Sequence, residues 1–463
     1  MTKDLPMIRP HRSHSSPHVV SRRNLLRAGS ALGAAALTGC AATVGAGTKG
    51  EGSAPSHVEA GSGSRTLTIL SMAASIPKED INQFAAENNC RVSILEYSYD
   101  KLTAMLAAGD PPDICRGLGG TDTPFLQLKQ LAEPLDPLLK SSRKLRMDML
   151  APVNNLWRHD GHEQGKGTYW GITKDYSYDL QVWINAELAG ETPTNNAPWT
   201  YQKILDVAKK ATKTSQGRVE TYGYGCYLQP PPDLQAVQAM MSTADQRLFR
   251  DDFASLDFTQ EAGIQAIDFF KQLWDTSATP NPLAPSSNDI YAMCKAGRIG
   301  VFQSGYWTQA MFADGKPEDL EKLYLLTTPM LGDERTASVL SATGYWIPRA
   351  SSQKDLAWKF MEFHLAGESA RKRAESGWGI PALITDDKYM PTATTLNKRA
   401  LAAKQADDPY FKVQSFTPYA KIDALNLDLK KAMERGVKNG HSAKEIAAEA
   451  TERCNAQLKR GKR

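Results

Sequence analysis

The sequence predicts an α/β protein whose body divides into two lobes. Short β-type runs alternate with amphipathic stretches from residue 65 to 115, which is the signature of a parallel sheet with crossover helices. β-type and helical runs continue to the C-terminus without an internal repeat, over about 400 residues, more than one domain usually holds.

The body begins with residues 67–70, a β-type run that ends in small residues. Residues 77–88 read as a helix: Pro77 at its start, Ile81, Phe84 and Ala85 on one face, Asn88 at its end. Residues 91–97 alternate as a strand, and 100–108 form a helix closed by Gly109-Asp110-Pro111-Pro112. Residues 113–115 start the third strand. Ligands on such sheets bind at the carboxyl ends of strands, which makes 71–75 and 116–122 the loops expected to face a cleft.

Farther on, 167–172 and 178–184 read as strands and 200–212 as an amphipathic helix. Residues 222–228 form a strand before the turn at Pro230-Pro231-Pro232. A long helix spans 259–274, with Ile264, Ile267, Phe270 and Leu273 as its apolar stripe. Strands follow at 298–302 and 323–328, a helix at 353–365, and a mostly helical segment from about 397 onward.

The N-terminus has a separate character. Arg22-Arg23 in the pattern SRRNLLR precede an apolar run at 28–37, and Leu37-Thr38-Gly39-Cys40 follows it. The run is too short to span a bilayer, which takes about 20 apolar residues, and has the length of a signal-peptide core. The order of twin arginines, apolar core and small-residue box resembles the signal of a bacterial lipoprotein. It implies export, lipidation of Cys40, and stable anchoring on the extracytoplasmic face of the cell membrane. Residues 1–40 are then the signal and 41–64, rich in Gly, Ala, Ser and Thr, a flexible tether.

Charge narrows the function. The chain has 55 Lys+Arg and 51 Asp+Glu, but residues 1–39 contain six of the bases and one acid. From Cys40 onward the chain is near neutral, so net charge gives no support to a nucleic-acid-binding surface. Besides Cys40 there are five Cys, none in a CxxC pair, which argues against a zinc ribbon or a redox motif. No P-loop GxxxxGK[ST] occurs, so an ATPase would be a separate chain.

Eight motifs then fall in one order: LTAMLAAGDPPDI at 102–114, LAEPLDPL at 131–138, GTYWGI at 167–172, VWINAEL at 182–188, PWTYQKI at 198–204, AGRIGVFQSGYW at 296–307, KDLAWKFMEF at 354–363 and GIP at 379–381. Together they resemble the extracellular solute-binding proteins of ATP-binding-cassette importers, in the branch that binds carbohydrates. Thr173 stands where that pattern usually has Pro, and the loop Ser71-Met72-Ala73-Ala74 lacks the Trp often found there. The loss of that stacking plane counts against a long oligosaccharide.

The resemblance implies a two-lobed periplasmic-binding-protein-like fold with a hinge, residues 65–174 and 335–385 forming the first lobe and 175–334 and 386–463 the second. It implies a monomer that captures a mono- or oligosaccharide by lobe closure and delivers it to a membrane permease, with no cofactor. Sugars present apolar ring faces and a belt of hydroxyls, so the site calls for aromatic planes with side-chain amides and carboxylates. The candidates are Trp307 and Tyr306 at a strand end, Asp175 and Tyr176 at the first crossover, Arg116 and Asp122 after the third strand, Tyr227 and Gln229 at a second-lobe strand end, and Tyr345, Trp346 and Trp378 near the return crossings.

Other readings compete. Ser75-Ile-Pro-Lys78 and Ser351-Ser-Gln-Lys354 satisfy S-x-x-K, but no Lys-Thr-Gly or Ser-Asp-Asn accompanies them, and both read as helix starts. Asp175 and Asp179 could form a glycosidase pair, which keeps a secreted lyase or glycosidase as the enzyme alternative. His159, Asp160, His162 and Glu163 cluster in a Gly-rich hairpin, but no distant pair completes a zinc set. A binding protein for a non-sugar solute is the remaining alternative.

Overall fold

The computed structural model describes residues 57–462 apart from 217, 228–229 and 287–288, and nothing of the Ala73 side chain. Cys40, the signal, residues 41–56 of the expected tether and Gln229 lie outside the described residues.

In chain order the strands are β1 His57–Ala60, β2 Arg65–Ser71, β3 Cys90–Glu96, β4 Ile114–Leu118, β5 Arg158–His159, β6 Thr168–Tyr169, β7 Ile172–Thr173, β8 Asp175–Tyr176, β9 Val182–Asn185, β10 Lys213–Ser215, β11 Arg218–Cys226, β12 Ile299–Gln303, β13 Leu323–Leu326, β14 Thr343–Trp346 and β15 Ile380–Pro381. A six-stranded sheet has the order β1-β3-β2-β4-β14-β7, and a five-stranded sheet the order β10-β11-β12-β9-β13.

In the first sheet β2 lies parallel to both β3 and β4, as the β-α-β alternation requires. The crossover helices are Lys78–Glu87 and Tyr99–Ala108. The first buries Ile81, Phe84 and Ala85. The second starts where the Ser98 side chain accepts from the Lys101 N–H, and it stops at Gly109, whose φ of 73° suits a residue without Cβ. Helices cover both faces, so Leu67, Ile69 and Leu70 of β2 are all fully buried.

The sheet starts earlier than expected. His57–Ala60 pairs antiparallel with β3, Val58 opposite Ile94, so residues 57–60 are an edge strand and not tether. The region after β4 also differs from the expected loop. β4 runs to Leu118 and a helix, Gly119–Leu128, follows at once. Arg116 is therefore a strand residue and Asp122 lies in the first helical turn. The strands expected at 167–172 and 178–184 are shorter pieces, because their hydrogen bonds go to five partner strands: β6 to β5, β7 to β14, β8 to β15 and β9 to β12 and β13.

In the second sheet β11 is parallel to β12, while β9 runs antiparallel to β12 and β13. The helix Tyr201–Ala211 caps on Thr200, and Glu261–Asp275 buries Ile267, Phe270 and Leu273. The last two helices, Ile422–Lys438 and Ala443–Lys462, pack against each other and against Glu261–Asp275. The chain crosses between the sheets through residues 173–182, 326–343 and 380–395, and β8 and β15 pair at two of these crossings.

Candidate functional site

At the end of β12 the chain turns through Ser304-Gly305. The N–H groups of both donate to the Gln181 carbonyl, each at 3.2 Å. Gly305 has φ +71°, and a Cβ there would lie 2.5 Å from Ser177 Oγ and 2.7 Å from the Tyr178 carbonyl. No larger residue fits. The turn sends two adjacent aromatics in opposite directions. Tyr306 is fully buried in the core beneath the second sheet, whereas Trp307 is half-buried.

Trp307 is the centre of an aromatic cluster. Its ring centroid lies 5.8 Å from Tyr291, 6.2 Å from Tyr227 and 6.0 Å from Trp378, all tilted or edge-on. Tyr227 follows β11 and is tied to β12 through its N–H and the Gln303 carbonyl. Tyr291 opens the helix Ile290–Lys295, capped by Asp289. Trp378 stands between Gly377, with φ +69°, and Gly379, and is 45% exposed. Burial holds the phenols of Tyr227 and Tyr291 well above their usual pKa, so both stay neutral hydrogen-bonding groups.

Of the expected site residues, the fold thus brings Tyr227, Trp307 and Trp378 together. Tyr291 joins them from a helix start that carries no motif, so sequence reasoning missed it. Asp175 packs beside Gly379, the neighbour of Trp378, where a Cβ on the glycine would lie 2.9 Å from the Asp175 Cβ; its carboxylate has Lys174 Nζ 3.0 Å away and Arg373 Nε 3.9 Å away. Tyr176 is buried edge-on to Tyr178, whose hydroxyl donates to Asp408. Arg116 is half-buried on β4, opposite Tyr345.

Three candidates are structural in this conformation. Tyr306 is core, as above. Tyr345 is 1% exposed in the first sheet's core, its hydroxyl 3.3 Å from Ser71 Oγ. Asp122 has both carboxylate oxygens engaged, by the Leu118 N–H at 2.8 Å and Lys421 Nζ at 3.2 Å. Trp346 points to the opposite face of β14 from Tyr345, as strand alternation dictates. It lines a cavity of about 340 Å³ with Tyr97, Tyr99 and Phe125.

The catalytic readings find poor geometry. Ser351 donates to Asp113 at 2.6 Å and accepts from the Gln353 N–H, the role of a residue at a helix start. Asp179 is buried and accepts from the Leu340 and Ser341 N–H groups. A third set, Asp80, Ser369 and His364, has Ser Oγ 2.6 Å from the carboxylate and 3.2 Å from the imidazole, but His364 is fully buried. In the hairpin, Asp160 Oδ1 accepts from the His162 and Glu163 N–H groups, so it is a turn former. Among the described residues no group of three or more His, Cys, Asp or Glu is placed to hold a metal ion.

Two α/β halves joined by three crossings, with an aromatic cluster at the strand ends, define a two-lobed binding protein of the periplasmic type. The family described as bacterial extracellular solute-binding protein matches residues 80–387, and the chain belongs to that family. No curated protein sequence matches it significantly. Among solved structures it is similar to an ABC substrate-binding protein of Listeria monocytogenes in complex with cycloalternan. The two share 17% identity and a TM-score of 0.70, over 85% of this chain and 98% of that one. A solute-binding protein of Thermotoga lettingae bound with α-D-tagatose shares 21% identity and a TM-score of 0.67, over 85% and 100%. The maltose/maltodextrin-binding domain of Bdellovibrio bacteriovorus bound to maltotriose shares 14% and 0.66, over 85% and 100%. No helix among the described residues is long and apolar enough to cross a membrane.

Proposed function

We propose that this protein captures a carbohydrate outside the cell for an ATP-binding-cassette importer and passes it to a membrane permease. The observation that carries the reading is the half-exposed cluster of Tyr227, Tyr291, Trp307 and Trp378, which offers stacking faces with phenol hydroxyls beside them. The sugars held by the three structural neighbours support it. Gln229, just beyond Tyr227, and Arg116 would add polar contacts. Asp175, paired with Lys174, would offer a carboxylate near Trp378, and Trp346 lines a separate cavity.

In this reading the first lobe comprises residues 65–174 and 335–385, extended at its start by β1, and the second comprises 175–334 and 386–463. Solute bridges them and shifts the population toward the closed form. No covalent step is involved. The protein acts as a monomer. Diacylglyceryl on Cys40 tethers it to the extracytoplasmic face of the membrane, near its permease.

The test is thermal melting against a panel of mono- and oligosaccharides. A sugar at 100 times its Kd stabilises by about 2.7 kcal/mol. Trp307→Ala abolishes that shift while leaving the ligand-free melting temperature nearly unchanged. A shift with peptides or metal ions alone would overturn the carbohydrate reading, and turnover of a glycoside would restore the enzyme alternative.

A further inference from the structure

Lys421 caps the start of the helix Ile422–Lys438, which packs on the helices of the second sheet. Its side chain crosses to the helix Gly119–Leu128, which follows β4 of the first sheet. There its Nζ lies 3.2 Å from Asp122 Oδ1, 4.1 Å from the Phe125 ring centre and 4.9 Å from that of Tyr99. One carboxylate and two aromatic faces thus form a socket for an ammonium group. The Leu118 N–H holds the other Asp122 oxygen at 2.8 Å, which orients the carboxylate from within its own half. Both side chains are largely buried, at 22% and 14% exposure, so solvent screens the pair less than a surface ion pair. A second tie runs beside it. Gln164 donates to the Gly119 and Leu156 carbonyls, each at 2.7 Å, and accepts from the Phe416 N–H at 3.1 Å.

We infer that Lys421 is a latch between the lobes, a positioning residue that sets solute affinity through the closed population. It ties the helix that follows β4 of the first sheet to the helix Ile422–Lys438 on the second. The inference rests on the reading that the lobes close around solute, but not on the solute being a sugar. If binding needs the closed form, apparent affinity scales with the closed fraction. Loss of an ion pair and two cation–π contacts of this burial then weakens solute binding about three- to tenfold.

The experiment measures the distance between spin labels on Cys substituted for Lys140 and Glu261, exposed positions on the two halves. The full chain carries Cys40→Ser, and its other five Cys are buried and resist labelling. Without any solute, Lys421→Met is expected to lengthen and broaden the distance distribution. Asp122→Asn is expected to do the same, with no further change in the double variant. Lys421→Arg, which keeps the charge, should retain the shorter distance, and circular dichroism should report folded protein throughout. An unchanged distribution in Lys421→Met, or full additivity of the two substitutions, overturns the latch. If the distances change while no sugar binds, the latch stands and the carbohydrate reading fails.

Discussion

Asp179 offers the sharpest test of how the crossings are held. It lies between β8 and β9, where the chain leaves the first sheet. Its Oδ2 accepts from the Leu340 N–H at 2.8 Å, the Ser341 N–H at 3.2 Å and the Ser341 hydroxyl at 3.3 Å, all on the segment that returns. Burial, with a small push from Asp233, outweighs those bonds and raises its pKa from 3.8 to about 7. A carboxyl whose folded pKa lies above its unfolded one is fully stabilising below the unfolded value, near pH 4. That contribution is lost as pH rises to about 7. The shift of about three units corresponds to about 4 kcal/mol lost by pH 8. Asn has the same shape, can accept from the same N–H groups and does not titrate. Asp179→Asn should therefore match the wild type near pH 4 and exceed it increasingly toward pH 8. Urea unfolding followed by tryptophan fluorescence at pH 4.5, 6 and 8 measures the difference. The buried acids Asp113, Asp233 and Asp407 titrate in both proteins, so their slopes largely cancel. Asp179→Ala should be the less stable at pH 4.5, because it strands two buried N–H groups at about 1–3 kcal/mol each. Parallel wild-type and Asp179→Asn curves from pH 4.5 to 8 would refute the reasoning.

Other expectations can be checked alongside. Gly223→Ala should destabilise by about 3 kcal/mol or more in denaturant titration, since a Cβ there would lie 1.7 Å from the Ala208 carbonyl oxygen. Trp378→Ala should raise the solute Kd about tenfold by calorimetry without lowering the melting temperature, because its ring is 45% exposed and packs on Trp307. His364 is held neutral by burial and by nearby Arg373 and Lys174. Its depressed pKa means its contribution is present above pH 6.5 and lost below, so His364→Phe should flatten the fall in unfolding free energy from pH 7 to 5.5. Cys40→Ala should release the protein from membranes on fractionation and lower uptake, while the purified protein still binds its solute.

The central β-α-β unit was legible because each element carried its own signal: apolar runs in β2, a Pro start and an Asn end around Lys78–Glu87, and Gly109 where a positive φ is needed. What escaped was set by distant partners. β1 has four residues with one large apolar side chain, and it exists because β3 offers an edge. The rule that loops follow strand ends put a loop at 116–122, where a helix containing Gly119, Gly120 and Pro124 begins. The two glycines are there because Cβ atoms would come within 2.6 Å of Trp157 Nε1 and 2.7 Å of the Leu340 carbonyl oxygen. Close packing against a crossing segment overrode helix propensity. The hairpin at 158–169 read as a Gly-rich turn with His159, Asp160, His162 and Glu163, yet its important residue is Gln164, buried and bonded across the molecule to Phe416.

The site was half legible for the same reason. Trp307 was marked by a motif at a strand end, but nothing in the sequence says that Trp378, 71 positions later, reaches it. The contact has a mechanical meaning. Trp307 extends from β12 of the second sheet, whereas Trp378 follows the helix Gly367–Glu375, which packs on Lys354–Leu365 beside the first. A ring inserted between two such faces is satisfied only when both halves approach, so stacking energy becomes closure energy. The residues that resist free motion sit elsewhere: Asp179 bridges two crossings, and Asp407 accepts from Gln181 and the Thr328 N–H. These buried ties fix the pivot, and Lys421 adjusts how readily it turns. Removing a pivot tie should therefore change stability, and removing Lys421 should change the closed population at nearly constant stability.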